Sequence, residues 1–221
     1  MIKPIYHQVN CREQNKVDLR QAKAVLKYKP DIIIFELPEK NNSPETVFNK
    51  YNCRQKPVVK IKLIKKNLKK SAKQFGYALS DIKVWENIEY LWQQEKNVLL
   101  YNIDGPTELR QEFFEVWQNM YPSAKKNWLW WVSIYLRDRI MANHLQSILK
   151  KYKFQKNPVI LIFLQNFHWQ HVKFLLKNPT SQEIWQYYFG KFSEINIKTI
   201  SHRIKKNNKL FYRYWKKYSD F

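Results

Sequence analysis

Glycine is scarce in this chain. Among 221 residues there are three, Gly76, Gly105 and Gly190. Phosphate-cradling loops and dinucleotide-binding turns need several glycines close together, because only glycine enters those backbone conformations freely. Nucleotide-binding enzymes of those two types are therefore excluded. Cysteine is scarcer still, with Cys11 and Cys53 alone. Two thiols build neither a disulfide framework nor a zinc site of four thiolates, and their spacing fits no zinc motif. They read as reduced, buried thiols of a cytoplasmic protein. Long apolar runs are missing as well. The longest, 159–164 and 128–132, fall far short of the ~20 residues a membrane helix needs. No transmembrane helix is expected, and Met1-Ile2-Lys3-Pro4 lacks the apolar stretch of a secretory signal. Acid is the minority charge: 18 Asp and Glu face 40 Lys and Arg, a formal net charge of +22. Such a field attracts nucleic acid, anionic membranes and acidic partners, and says little about fold. AT-rich coding enriches the same residue types, so a functional and a genomic origin of the charge stand side by side.

Apolar residues make up 44% of the chain, with 9 Trp, 14 Tyr and 13 Phe. That is enough to build a core. Four short β-like runs stand out, at 2–6, 31–35, 97–103 and 159–164. The last three are nearly continuous apolar runs, as expected of strands covered on both faces in a parallel sheet. Helical patterns at 17–28, 43–52, 60–73, 81–94, 108–120 and 125–151 separate them. Alternating strands and helices predict an α/β fold, with a mostly parallel central sheet flanked by helices. The expected organisation is an α/β domain over 1–192. A basic extension over 193–221 would follow it, made of a strand at 195–200 and a helix.

Positive charge is concentrated in two places. Residues 56–73 hold eight lysines and no acid. A solvated amphipathic helix accounts for that run. Residues 203–217 hold Arg203, Lys205, Lys206, Lys209, Arg213, Lys216 and Lys217, again without acid, interleaved with Phe211, Tyr212, Tyr214 and Trp215. Basic residues interleaved with aromatics suit phosphate contact plus base stacking. No compact nucleic-acid recognition motif accompanies them.

Polar residues recur just beyond the strands. His7 follows the first, Glu36 the second and Asp104 the third, while His168 comes four residues after the fourth. Open α/β sheets bind ligands outside the carboxyl ends of their strands. Two histidines and a glutamate are a known three-ligand set for a catalytic metal with one open position. Each residue alone has a plainer reading: His7 a solvated loop residue, Glu36 a cap, Asp104 part of an Asp-Gly-Pro turn. Their joint position raises the functional reading. On the long helix, Arg137 shares an apolar stripe with Ile134, Met141, Leu145 and Ile148, and Asp138 lies on the adjoining one. A charge within an apolar face needs either an internal ion-pair partner or an anionic ligand. The tryptophans at 128, 130 and 131 suit core packing or an interfacial membrane contact. His144, His171 and His202 are weaker candidates and are not expected to be ligands.

In these residues the chain resembles the TraB/PrgY and Tiki families, grouped with the EreA/ChaN-like proteins. The matching text is Pro4-Ile5-Tyr6-His7, then Lys29-Pro30-Asp31-Ile32-Ile33-Ile34-Phe35-Glu36, then Arg137-Asp138-Arg139-Ile140-Met141-Ala142. The run from Val159 to His168 and Asp104 before Gly105-Pro106 complete the set. It covers roughly residues 1–178. The chain departs from the pattern where Pro4 and Gln165 replace the two motif glycines and Leu136 the helix glutamate. The resemblance implies a metal-dependent hydrolase acting on a peptide or small-molecule substrate. His7, Glu36 and His168 would hold a divalent ion (Mn, Co, Fe or Zn). Glu36 or Asp104 would serve as base, and Arg137 and Asp138 would contact the substrate. The alternative is an inactive relative serving as a scaffold or binding nucleic acid through Lys205, Lys206, Lys209, Arg213 and Lys216.

Overall fold

The computed structural model describes residues 2–6, 20–38, 79–94, 96, 98–120, 123, 126–152 and 158–221. It has the expected α/β architecture. Four strands, β1 (Ile2–Tyr6), β2 (Ile32–Pro38), β3 (Leu99–Asp104) and β4 (Ile160–Leu164), form one sheet in the order β1-β4-β2-β3. β4 is parallel to both β1 and β2, with Ile160 level with Ile2 on one side and Ile32 on the other. Sequence order and sheet order differ, as crossover connections require. The described residues form eight helices: α1 (Arg20–Tyr28), α2 (Leu79–Gln93), α3 (Thr107–Met120), α4 (Trp128–Lys151), α5 (Asn166–Leu176), α6 (Ser181–Phe189), α7 (Ile200–Asn207) and α8 (Lys209–Tyr218). The helical patterns at 43–52 and 60–73, and both cysteines, lie outside the described residues.

Contacts divide the chain into two compact units. One comprises 1–36, 45–102 and 152–166; the other comprises 37–44, 103–151 and 167–221. Residues 193–221 therefore fall in the second unit, together with 103–151 and 167–192.

In the first unit, Ile32, Ile33, Ile34 and all of β4 are buried, as their unbroken apolar runs predict. α1 buries Ala22, Ala24 and Val25; α2 buries Val84, Trp85, Ile88 and Leu91 at helical spacing. Phe35 stacks on Trp85 with ring centroids 5.4 Å apart. Asn87 Nδ2 donates to the Ala22 carbonyl at 2.8 Å, tying α2 to α1. Asp31 anchors the strand starts. Its side chain accepts from the Val159 amide at 2.8 Å and pairs with Lys96, and its carbonyl accepts from Leu99 at 2.8 Å. α1 ends where Lys29 turns left-handed, with φ of 43°, just before Pro30.

In the second unit, α4 is the axis. Asn127 caps its start by accepting from the Leu129 amide at 2.8 Å, so the helix begins at Trp128 rather than at 125. Fifteen of its residues are buried, on several faces. Tyr135 meets Trp215, Tyr188 and Phe221 at ring distances of 5.5, 5.1 and 5.7 Å. Trp130 is buried against Phe113 and Phe167, while Trp128 and Trp131 are half-buried. No helix among the described residues is long and apolar enough to cross a membrane.

The strand expected at 195–200 is absent; turns run from 193 to 199 and lead into α7. Asn196 is the cause. Its side-chain oxygen accepts from the Thr199 amide at 3.0 Å and its carbonyl accepts from Ile200, also at 3.0 Å. Asparagine closing such local bonds competes with an extended ladder. The alternating isoleucines instead place Ile195 and Ile200 in the core.

Candidate functional site

Two neighbouring clusters of buried charge lie in the second unit, around Asp104 and Asp138. The first surrounds Asp104, the last residue of β3. Gly105 follows it, and a Cβ there would lie 3.0 Å from Leu109 Cδ2 and 3.5 Å from Ile140 Cδ1. A side chain at this position would press on Leu109. The carboxylate is fully buried. Its Oδ1 accepts from the Gly105 amide at 2.7 Å and from Arg137 Nε at 3.1 Å, and its Oδ2 accepts from Arg137 Nη2 at 2.8 Å. Arg110 Nε approaches Oδ2 at 3.3 Å from a partly exposed position. Burial alone would raise the pKa of Asp104. The Arg137 charge and hydrogen bonds, helped by Arg110 and His168, outweigh that and hold it below the usual carboxylate range. The cation in the apolar stripe of α4 thus has an internal partner, one of the two readings open from sequence. The Arg137 guanidinium also lies 5.0 Å from the Phe113 ring centroid.

The second cluster surrounds Asp138, fully buried one residue further along α4. Its Oδ1 meets His168 Nδ1 at 2.5 Å and its Oδ2 meets His171 Nδ1 at 2.6 Å. Tyr188 Oη donates to Oδ2 at 3.1 Å. One carboxylate therefore receives two rings of α5 and a phenol of α6. α5 starts at Asn166, which puts His168 and His171 three residues apart on one face. Burial pushes Asp138 up, and the two imidazoles more than offset it, holding the carboxylate ionised. Burial and then the Asp138 charge push the Tyr188 phenol well above its usual value, so it remains a donor. An ionised Asp138 fixes both imidazoles as Nδ1–H donors and sets their ring orientation. Metal-ligating and general-base histidines are commonly oriented in this way.

The sequence candidates are distributed as follows. Asp104, Arg137, Asp138 and His168 come together in the second unit. Glu36 belongs to the first, where its Oε2 accepts from the Gln165 amide at 2.8 Å. His7 lies outside the described residues. Among the described residues no group of three or more His, Cys, Asp or Glu side chains is arranged to hold a metal ion. His171 and Tyr188 join the cluster although neither was expected there. The three-residue spacing of the histidines was the available signal for His171; nothing local marks Tyr188. His144, one of the weaker candidates, is 8% exposed, with Nδ1 3.0 Å from the Ile103 carbonyl oxygen. α4 is enclosed on too many sides for a simple polar face to survive there. Burial lowers its pKa.

In the basic tail, Lys205, Lys206, Lys209, Arg213 and Lys216 are all exposed. Arg213 is already paired, 3.2 Å from Glu108 Oε1. Compared with family models, curated proteins and solved structures, the chain matches none.

Proposed function

We propose that the protein is a divergent TraB/Tiki-like metal-dependent hydrolase acting on peptides. One observation carries the reading. Three motif segments far apart in sequence, Asp104, Arg137-Asp138 and His168, meet in one buried charge network, with His168 held by Nδ1 on the Asp138 carboxylate. A plain packing role for these residues would not need a carboxylate aimed at an imidazole.

His7, Glu36 and His168 would hold the divalent ion. The donor chemistry of His168 fits, because ligating imidazoles habitually donate their other ring nitrogen to a carboxylate. A metal in such a set supplies Lewis acidity and a bound water of lowered pKa. Asp138 fixes the His168 tautomer and keeps its ring from turning. Asp104 clamps Arg137 in two places, and Asp104 in turn is too well compensated to take up a proton near neutral pH.

The test is hydrolysis of a mixed peptide substrate library by purified protein. Activity should require added divalent ion, be abolished by a chelator and return on readdition. It should fall in Glu36→Gln. Chelator-insensitive cleavage, or full activity in Glu36→Gln, rejects the assignment.

A further inference from the structure

We infer that the α7–α8 helix pair binds single-stranded nucleic acid, stacking a base on Tyr212 and seating phosphates on the surrounding lysines. This surface is independent of the proposed hydrolytic site.

Both helices turn their apolar side inward. Ile200 and Ile204 of α7 are fully buried, as are Phe211, Tyr214 and Trp215 of α8, to within 6% exposure. What remains outward is cationic. Lys205, Lys206, Lys209, Lys216 and Lys217 are exposed, and no carboxylate pairs with any of them among the described residues. The acids of α3 nearest this region are engaged elsewhere. Glu108 takes Arg213 and Tyr214, and Glu112 takes Asn208.

Tyr212 and Tyr218 are the α8 aromatics that stay partly exposed, and Tyr212 is the one flanked by a lysine of each helix. It is half-buried, held by the helix backbone, with Lys205 Nζ 5.8 Å and Lys216 Nζ 5.9 Å from its ring centroid. The two lysines come from different helices and bracket one ring. Ammonium groups beside a half-buried surface ring are weakly held, so an incoming base takes the ring face and the lysines move to its flanking phosphates. This pairing of a π-face with bracketing cations is what a sequence-tolerant single-strand site requires. A membrane surface suits the patch less well. None of the exposed large apolar side chains lies in 200–218, so little is available to enter the acyl region.

The experiment is fluorescence anisotropy of a labelled oligothymidylate with the full chain at several salt concentrations. Engagement of all five lysines predicts a log–log salt slope of about −3.5, at about 0.7 per phosphate for single strands. Lys205→Ala with Lys216→Ala should reduce that slope by about 1.4. Tyr212→Ala should weaken binding at least about fivefold, whereas Tyr212→Phe, which keeps the ring, should bind as the parent does. Unchanged circular dichroism melts confirm that the variants are folded. No binding at low salt overturns the inference. So does equal binding by Tyr212→Ala and the parent, which would leave only a diffuse polyanion attraction. Full displacement of the oligonucleotide by phosphatidylserine vesicles would assign the patch to membranes instead.

Discussion

Replacing Arg137 by methionine isolates the buried ion pair at the centre of the second unit. The substitution keeps most of the side-chain volume and removes the cation. Asp104 is left at 0% exposure with the Gly105 amide and Arg110 at 3.3 Å. Removing one partner of a buried pair typically costs about 3–5 kcal/mol, because the remaining charge is uncompensated. Both side chains are within 5% of complete burial, so little solvent screening reduces that figure. For a chain of this size the expected loss in melting temperature is about 6–20 °C. The pH dependence gives the sharper signature. In the parent, the folded-state pKa of Asp104 is depressed, so its contribution is present above the unfolded value of about 3.9 and is lost as pH falls through the folded value. In Arg137→Met, burial loses its main opponent and raises the folded pKa above the unfolded one. The variant then gains relative stability as Asp104 protonates, and the two stability curves should converge near and below about pH 4. Urea unfolding followed by circular dichroism between neutral and acid pH measures this. A penalty under about 1 kcal/mol at neutral pH, or one that does not shrink on acidification, refutes the account of the pair.

Other consequences follow from neighbouring contacts. Tyr188→Phe removes one donor from the ionised Asp138 and should cost about 1.5–3 kcal/mol in urea unfolding, with no change in helix content. His144 is held neutral by burial, so its contribution is present above the unfolded value of about 6.5 and declines as pH falls below it; His144→Gln should flatten the stability profile between pH ~6.5 and ~5. Asp220 accepts from Tyr135 Oη at 2.8 Å and pairs with Arg139, so Asp220→Ala should lower the melting temperature and leave Tyr135 more easily ionised in an ultraviolet titration. Lys29 carries a φ of 43°, and Lys29→Gly should raise stability in urea unfolding by about 0.5–1 kcal/mol, because relief of left-handed strain outweighs the added chain entropy.

Much of the fold was legible because its strands are short apolar runs bounded by charge or proline. Residues 2–6 and 159–164 match β1 and β4 to within one residue. The stretch 195–200 misled because its alternating isoleucines carry a period-two signal. Asn196 and Thr199, whose local hydrogen bonds decide the outcome, read as ordinary polar residues. At the candidate site, Arg137 and Asp138 were visible as charges breaking apolar stripes, and Asp104 and His168 as polar residues following strands. Their mutual pairing was not visible, since it depends on which turn of α4 faces β3 and α5. Tyr188 was invisible for the same reason. It is one tyrosine among 14, marked only by the fold that brings its hydroxyl to Asp138.

Metal content is the most direct test of the proposed activity. Tag-free protein, washed in high salt and reconstituted with each candidate ion, would be compared by inductively coupled plasma mass spectrometry with Glu36→Gln and with His7→Ala/His168→Ala. Folded state would be checked by circular dichroism. Near-stoichiometric manganese, cobalt, iron or zinc in the parent, lost in both variants, is the predicted result. Equal metal in parent and variants, or none in any of them after reconstitution, contradicts it.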